Sequence, residues 1–375
     1  MLETLSPAPK LSAARTTLLM AAVGVFGACA GPKPPVWSAR FSATQDTIIV
    51  PYGEITEATW LGGGRWAVIA PQDRTVGVAD FQHRSLTRFG GGQARELEQP
   101  YQLFQDADSI YIADWLKRRL TSWSLDGVLG GTHPALDSYR GLLPRARDAA
   151  GRWYFESRPA PGRDGRGNLD SAAVLRATPD WSHADTVMRL APLDLVEVIS
   201  DGGRRLERRL LSGQDRWGIL PDGAVWVARV AQNRVDWRNT SGKVISGDEL
   251  PDRVLPITER DREVFLNHFE ASLRSTVSQI PFAAIKPPFE AAVTDLEGRV
   301  WLVKIRAIGD TIRDYQVIDQ AGRMVGGASH PGLGRIIAMG GGYALVGEPF
   351  AGGVRLLCFK LPADSGSGGT SSLSQ

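Results

Sequence analysis

A short motif occurs six times along the chain and restricts its possible folds more than any other feature of the sequence. Each copy begins at a Gly or Asp suited to a tight turn and continues as an apolar run with an aromatic or aliphatic residue. The copies occupy residues 64–69, 108–113, 151–155, 223–228, 298–303 and 342–346. Runs of alternating apolar and polar residues follow several copies, as at 119–127, 234–242 and 315–322. This alternation is typical of half-buried strands joined by hairpin turns, so the sequence predicts six antiparallel meanders.

The spacing of the copies predicts how the meanders are arranged. Successive copies begin 44, 43, 72, 75 and 44 residues apart, and about 40 to 50 residues make one blade of a β-propeller. Neither long spacing reaches two blades, so we interpret both as insertions: the first contains residues 159–170 and 201–210, and the second residues 247–288. The predicted fold class is all-β, a six-bladed β-propeller of four-stranded antiparallel blades over residues 40–362, with one helical insertion between blades 4 and 5.

One copy and its surroundings carry a resemblance to a known repeat. Residues 106–114, followed by residues 118–123, resemble an NHL repeat, and the six copies together are similar to six-bladed, TolB-like propellers. Such propellers include lyases, lactonases, sugar dehydrogenases and binding modules. The resemblance therefore implies a fold and leaves the function open.

A propeller ring needs a strand that joins its two ends. The last blade contains three candidate strands before the Ser- and Gly-rich residues 363–375, which we expect to be disordered. The alternating run at residues 40–50 is the predicted fourth strand, because its pairing would bury both open edges of the ring.

The second insertion contains a helical pattern. Phe265, Phe269, Leu273 and Val277 recur every four residues and predict an amphipathic helix over residues 257–277. Such a helix would pack either along a blade edge as a brace or over the central channel as a lid. We favour the brace.

The N-terminal residues 1–28 have the pattern of a signal peptide. Lys10 and Arg15 precede an uninterrupted run of small and apolar residues at 16–28. This run is shorter than the roughly 20 apolar residues that cross a bilayer as a helix. The pattern therefore predicts export of the chain rather than anchoring by a membrane-spanning helix.

The signal segment ends in a sequence that resembles the lipobox of bacterial lipoproteins. Gly27 and Ala28 precede Cys29, whereas Phe26 departs from the aliphatic residue usual in that family. The resemblance implies lipidation of Cys29, a tether at residues 29–39, and sorting to the outer membrane, facing the periplasm or the cell surface. Ordinary cleavage beside an incidental cysteine is the alternative. A lipidated Cys29 would leave Cys358 without a disulfide partner, and we interpret Cys358 as a buried strand residue.

The starts of the innermost strands supply candidates for a ligand site. In propellers, functional side chains come from these positions around the central channel. The candidates are Glu57, Tyr101, Arg145, Arg216, Glu290 and Arg335. Three arginines facing one channel would attract an anion and could bind a carboxylate or phosphate bidentately. The alternative is that several are solvated entrance residues or partners of the two glutamates.

Other classes of site find little support in the sequence. It lacks the common motifs of metalloproteases, serine hydrolases and phosphate-binding loops, and its five histidines are scattered. A lactonase-like metal site would need Asn and Asp beside Glu57 and Glu290, and no Asn begins an inner strand, so we predict no metal or other cofactor. The formal net charge of +2, with basic residues interspersed among acidic ones, predicts no nucleic-acid partner.

Tryptophans recur at equivalent strand positions, which predicts packing between blades: Trp66, Trp153, Trp226 and Trp301.

These features lead to two functional hypotheses. The first is an envelope-anchored propeller that acts as a binding or scaffold module for a partner protein or a small anionic ligand, held at the membrane through its lipid. The second is a propeller hydrolase or lyase, lactonase-like, with its active site in the axial channel.

Overall fold

The computed structural model describes residues 37–41, 46–89, 97–106, 108–139, 141–157, 172–200 and 203–361. The chain divides into two units, residues 1–35 and 36–375, and all the described residues belong to the second. The predicted signal peptide, Cys29, most of the tether, residues 159–170 of the first insertion and the tail 363–375 lie outside the described residues. In the described part of the chain, no helix is long and apolar enough to cross a membrane.

The described strands form six sheets of four or five strands and one separate hairpin. The first strands are β1 (Trp37–Arg40) and β2 (Asp46–Val50), followed by blade 1 with β3 (Glu57–Gly62), β4 (Arg65–Ala70), β5 (Thr75–Asp80) and β6 (Ser85–Phe89). Blade 2 contains β7 (Pro100–Asp106), β8 (Ser109–Asp114), β9 (Arg119–Ser124) and β10 (Leu129–Pro134). Blade 3 contains β11 (Ala146–Arg147), β12 (Trp153–Ser157), β13 (Ala173–Ala177) and β14 (Ala184–Arg189).

The second half of the chain repeats this plan with two additions. The hairpin β15 (Leu195–Ser200) and β16 (Gly203–Arg208) precedes blade 4, which contains β17 (Arg216–Ile219), β18 (Val225–Arg229), β19 (Arg234–Arg238) and β20 (Val244–Ile245). Helices α1 (Glu259–Leu266) and α2 (Ala271–Val277) precede blade 5, which contains β21 (Phe289–Thr294), β22 (Val300–Lys304), β23 (Ile312–Ile318) and β24 (Met324–Pro331). Blade 6 contains β25 (Arg335–Gly340), β26 (Tyr343–Phe350) and β27 (Gly353–Lys360). The predicted six-bladed propeller of four-stranded antiparallel blades is confirmed.

The ring closes through the second half of the alternating run at residues 40–50, whereas Arg40 belongs to β1. β2 pairs antiparallel with β27, from Asp46 opposite Cys358 to Val50 opposite Val354. A second closing contact was not predicted: β1 pairs in parallel with β24 and gives blade 5 a fifth strand. This strand begins at Trp37, inside the segment that the sequence analysis assigned to the tether. The start of the described chain therefore contributes one strand to each of the last two blades.

The core lies between neighbouring blades. The four equivalent tryptophans are buried in separate apolar clusters, which confirms their predicted packing: Trp66, Trp153, Trp226 and Trp301. Large aromatic side chains each bury about 150–250 Å² and so contribute much of the hydrophobic stabilisation. Cys358 is buried on β27, as interpreted from the sequence, and burial raises the pKa of its thiol to about 11.

The second insertion forms two short helices rather than the single helix predicted. Thr258 caps α1 in a capping box with Asp261, and α1 ends at Leu266 with Asn267 as its C-cap. The backbone at Glu270 is extended (φ −59°, ψ 150°), which separates α2 from α1. The apolar spacing still brings the rings of Phe265 and Phe269 together, 5.3 Å between centroids, while Phe265 also packs against Phe282 at 5.8 Å. The apolar spacing therefore predicted that these side chains pack together, but it did not reveal the break between the two helices.

The two insertions contact each other at the entrance to blades 4 and 5. The backbone N–H of Leu210, which follows β16, donates to the carbonyl of Pro281, and the N–H of Ala283 donates back to Leu210, each at 2.9 Å. A buried ion pair of 2.6 Å joins Asp261 of α1 to Lys286. These bonds fix α1 between the hairpin and the start of β21.

Candidate functional site: the axial cavity

The inner strands of the six blades surround a cavity of about 450 Å³. Five of the six residues expected at inner-strand starts line it: Glu57, Arg145, Arg216, Glu290 and Arg335. Glu57, Arg216 and Arg335 are the first residues of β3, β17 and β25. The strand starts identified from the sequence therefore do converge on one space.

Tyr101, the sixth expected residue, does not line this cavity. The pairing of β7 with β8 shifts between Pro100, opposite Asp114, and Gln102, opposite Ala113, so that Tyr101 lies at a β-bulge. The Tyr101 ring packs edge-on against Trp115, with 6.1 Å between centroids. Gln102 lines the cavity in its place. A bulge moves side chains to the opposite face, and the alternation of the sequence does not reveal it.

Glu57 has the most perturbed carboxyl group of the cavity wall. Among the described residues, this carboxyl group accepts a single hydrogen bond, from the backbone N–H of Leu103 at 3.4 Å. Burial raises the pKa of Glu57 to about 7, because the anion loses hydration, although Arg145, Arg216 and Arg335 act in the opposite direction. At neutral pH this side chain therefore carries only part of a negative charge.

Arg145 has a carboxylate partner that the sequence analysis missed. It forms an ion pair with Glu156 of β12, which also accepts a hydrogen bond of 2.7 Å from the indole N–H of Trp217. The Arg145 guanidinium lies over the Trp217 ring, 5.5 Å from its centroid. Glu156 lies near the end of the second strand of its blade, not at the start of an inner strand, where the candidates were expected. Its signal was a charged residue directly after the apolar run of the third copy.

Glu290 is also paired. It forms an ion pair with the buried Arg313, whose Nε donates to the carbonyl of Gly334 at 3.0 Å. The pairing of β21 with β22 shifts at Glu290, which lies at a bulge between Phe289 and Ala291. The negative charge of Glu290 is thus compensated from behind the cavity wall.

Arg216 and Arg335 remain without a carboxylate partner among the described residues. The Arg216 guanidinium donates one hydrogen bond, at 3.3 Å, to the backbone carbonyl of Glu290. Burial and the nearby Arg145 guanidinium lower the pKa of Arg216, which still leaves it charged. No hydrogen bond or ion pair joins the side chain of Arg335 to any other described residue. Both side chains therefore offer donors to the cavity.

Counted together with Arg229 and Arg313, which pair with two of its acids from behind, the wall carries an excess of positive charge. Asp215, the remaining acid of the wall, is bound by Arg229 at 2.8 Å and by the backbone N–H groups of Ala191 and Val230. The paired acids Asp215, Glu156 and Glu290 are balanced by their arginines. Two unpaired guanidinium groups then face Glu57, which is partly neutral at pH 7. This arrangement favours an anion, since a narrow channel with low-dielectric walls focuses the field.

A second cavity of about 390 Å³ adjoins the axial one beneath α1. Its wall shares three residues with the axial cavity: Gln214, Arg216 and Glu290. Val264 and Phe265 of α1 line it together with residues that precede β17 and follow β22. The insertion thus lies beside the axial site and covers part of the space around Arg216. Its position combines features of the brace and of the lid considered above.

Within the described ranges, no three His, Cys, Asp or Glu side chains come close enough together to hold a metal ion. The acids of the axial wall instead accept hydrogen bonds from arginine, tryptophan and backbone N–H groups.

Comparisons with known proteins show the fold and no closer relationship. No family model matches this sequence, and no curated protein matches it. Among solved structures, a member of the DUF4221 family from Bacteroides vulgatus has a TM-score of 0.50 at 8% identity, covering 85% of this chain and 97% of that one. A virginiamycin B lyase from Staphylococcus aureus has a TM-score of 0.48 at 8% identity, with 84% and 98% covered. A gluconolactonase from Xanthomonas campestris has a TM-score of 0.44 at 14% identity, with 89% and 99% covered.

Proposed function

We propose that this six-bladed β-propeller binds a small anionic ligand in its axial cavity. The observation that carries the proposal is the pair Arg216 and Arg335, which line the cavity and have no carboxylate partner among the described residues. Guanidinium groups in such a setting bind carboxylate or phosphate oxygens through charge-assisted hydrogen bonds. The paired acids around them leave these two charges available to a ligand.

Titration calorimetry with butyrate and its uncharged isostere butyramide tests this proposal. Wild-type protein should bind butyrate in preference to butyramide. Replacing Arg216→Gln and Arg335→Gln together should weaken butyrate binding by about 100-fold or more, since each hydrogen bond to a charged group contributes about 1.5–3 kcal/mol. The control is Arg323→Gln, an exposed arginine paired with Asp319 far from the lining residues. Equal binding of the two compounds, or unchanged binding by the double variant, contradicts the proposal.

The proposal includes the location of the propeller. We propose a TolB-like envelope lipoprotein, exported by the signal segment and tethered through a lipid on Cys29, because Gly27 and Ala28 precede that cysteine at the end of an apolar run. In a bacterial host, the full chain should incorporate labelled palmitate and fractionate with membranes. A Cys29→Ser variant should lose both the label and the membrane association. Palmitate incorporation by that variant would refute the assignment.

A second candidate function follows from Glu57. A carboxyl group with a pKa near 7 in a polar cavity can act as a general acid or base, as a propeller hydrolase or lyase would require. Purified protein would then hydrolyse a simple lactone such as glucono-δ-lactone, and Glu57→Gln would abolish turnover while leaving butyrate binding measurable. A stoichiometric divalent ion in the purified protein would support this function. Hydrolysis no faster than in buffer argues against the lactonase and leaves the binding proposal intact.

A further inference from the structure

The chemistry of the second cavity indicates what kind of anion the axial site receives. The two cavities share Gln214, Arg216 and Glu290, so a ligand bound to Arg216 lies at the border of both. The Arg216 guanidinium is anchored there by its hydrogen bond to the carbonyl of Glu290. A group attached to the bound anion can extend from this border into the second cavity.

The side chains beyond Arg216 are mainly apolar. Seven apolar side chains surround the second cavity: Leu211, Val264, Phe265, Pro287, Phe289, Ile305 and Ile308. Ile308 is 49% exposed and adds to the apolar surface that a ligand in this cavity could contact. Burying such surface stabilises a complex by about 25 cal/mol per Å².

The polar groups of this second wall are mostly bound to one another. The Arg208 guanidinium donates to the side-chain oxygen of Gln214 at 2.8 Å and to Ser212 Oγ at 3.0 Å. Asp261 is paired with Lys286 at 2.6 Å. These bonds leave the apolar surface as the main feature offered to a ligand in this cavity.

We infer that the ligand is an amphipathic acid, with its anionic group at Arg216 and Arg335 and its apolar part in the second cavity beneath α1. This inference rests on the proposed anion binding and adds the class of molecule. Each cavity has the volume of a typical small-molecule site, which is about 300–1,000 Å³. A short aliphatic or aryl-substituted carboxylate therefore fits both, whereas a small hydrophilic anion would leave the apolar wall uncovered.

The test compares octanoate with butyrate and with octanamide on the full propeller by calorimetry. Each methylene buried beneath α1 should tighten binding about fourfold, so octanoate should bind about two orders of magnitude more tightly than butyrate. Octanamide, which lacks the charge, should bind more weakly than octanoate. Val264→Asp and Ile308→Asp should each remove most of the advantage of octanoate over butyrate, and the exposed position of Ile308 makes a folding defect in that variant unexpected.

The control is Leu273→Asp on α2, a 52% exposed residue that does not line the second cavity. It should leave the preference for octanoate unchanged. Equal affinities for octanoate and butyrate would overturn the inference and leave the proposed anion binding standing. An advantage of octanoate that survives both aspartate variants would also overturn it. If neither acid binds, the proposed function itself is wrong, and this inference fails with it.

Discussion

Ile48 of β2 lies opposite Leu356 of β27 in the antiparallel ladder that closes the ring. The two residues are separated by almost the whole propeller in sequence, yet both are buried in the cluster between blades 6 and 1. A substitution at Ile48 can therefore show how much the closing strand contributes to the free energy of unfolding.

Replacing Ile48→Ala should lower the free energy of unfolding by about 2–5 kcal/mol, because it leaves a cavity in a close-packed core. The neighbouring Ile49 supplies a matched control, since it is on the same strand and 62% exposed. Ile49→Ala should change the free energy by no more than about 0.5 kcal/mol. Urea denaturation followed by tryptophan fluorescence measures both, and equal effects would show that β2 does not seal the ring.

A turn motif that repeats in the blades gives a second prediction. Asp295 is buried and accepts hydrogen bonds of 2.7 Å from Nε of Arg299 and from the indole N–H of Trp301. Asp148 makes the same bonds to Arg152 and Tyr154 in blade 3. The motif fixes a hairpin to the strand that follows it.

Asp295→Ala should cost about 3–5 kcal/mol of stability, because it removes a fully buried carboxylate that pairs with the mostly buried Arg299 guanidinium. Asp319→Ala removes the equivalent bond to Arg323, which is more than half exposed, and should cost no more than about 1 kcal/mol. Thermal unfolding of the two variants under identical conditions tests the contrast. Similar losses would mean that burial does not govern the strength of this motif.

The pKa of Glu57 predicts a dependence of stability on pH. The folded protein raises this pKa from 4.5 to about 7 and so holds the proton more tightly than the unfolded chain does. The resulting stabilisation is complete at pH values below about 4.5 and is lost as the pH rises through 7. Glu57→Gln cannot ionise, so its stability relative to the wild type should increase by up to about 3 kcal/mol between pH 4.5 and 8.5.

Denaturation of wild type and Glu57→Gln at both pH values measures this difference, with the exposed Glu54→Gln as the control. A constant difference between wild type and Glu57→Gln would show that Glu57 ionises normally in the folded protein.

The same carboxyl group should make ligand binding depend on pH. Below pH 7 Glu57 is mainly neutral, and above it the side chain repels an anion held by Arg216 and Arg335. Butyrate stays ionised from pH 6 to 8, so its affinity should rise as the pH falls over this interval. Glu57→Gln should bind butyrate with nearly the same affinity at both ends. A persistent pH dependence in this variant would assign the effect to another group.

Burial of Cys358 predicts an unreactive thiol. The thiolate is the reactive form, and burial raises the pKa of this thiol to about 11. In a Cys29→Ser background, which leaves Cys358 as the remaining cysteine, a disulfide reagent should react only after denaturant is added. Rapid reaction of the native protein would show that the last blade opens readily.

Much of this protein could be predicted from local sequence features. The six turn motifs and the alternating strands determined the number of blades, because turn residues and the two-residue strand period act over short distances. The same logic located the closing strand and five side chains of the axial wall, since equivalent strand starts of a propeller converge on one channel. The similarity of the six repeats therefore predicted both the ring of blades and most of the residues around its central channel.

Only the tertiary structure decided which charged side chains of the axial cavity are left without an ion-pair partner among the described residues. Glu156 binds Arg145 and Trp217, and the latter is 61 residues away in the chain. The bulge that exchanges Tyr101 for Gln102 depends on pairing with β8, and the apolar spacing at residues 265–277 does not reveal the break between α1 and α2. Such contacts join residues that are far apart in the sequence, and no periodic pattern in the sequence predicts them. Local periodicity therefore defined the scaffold, while long-range packing and pairing left Arg216 and Arg335 available.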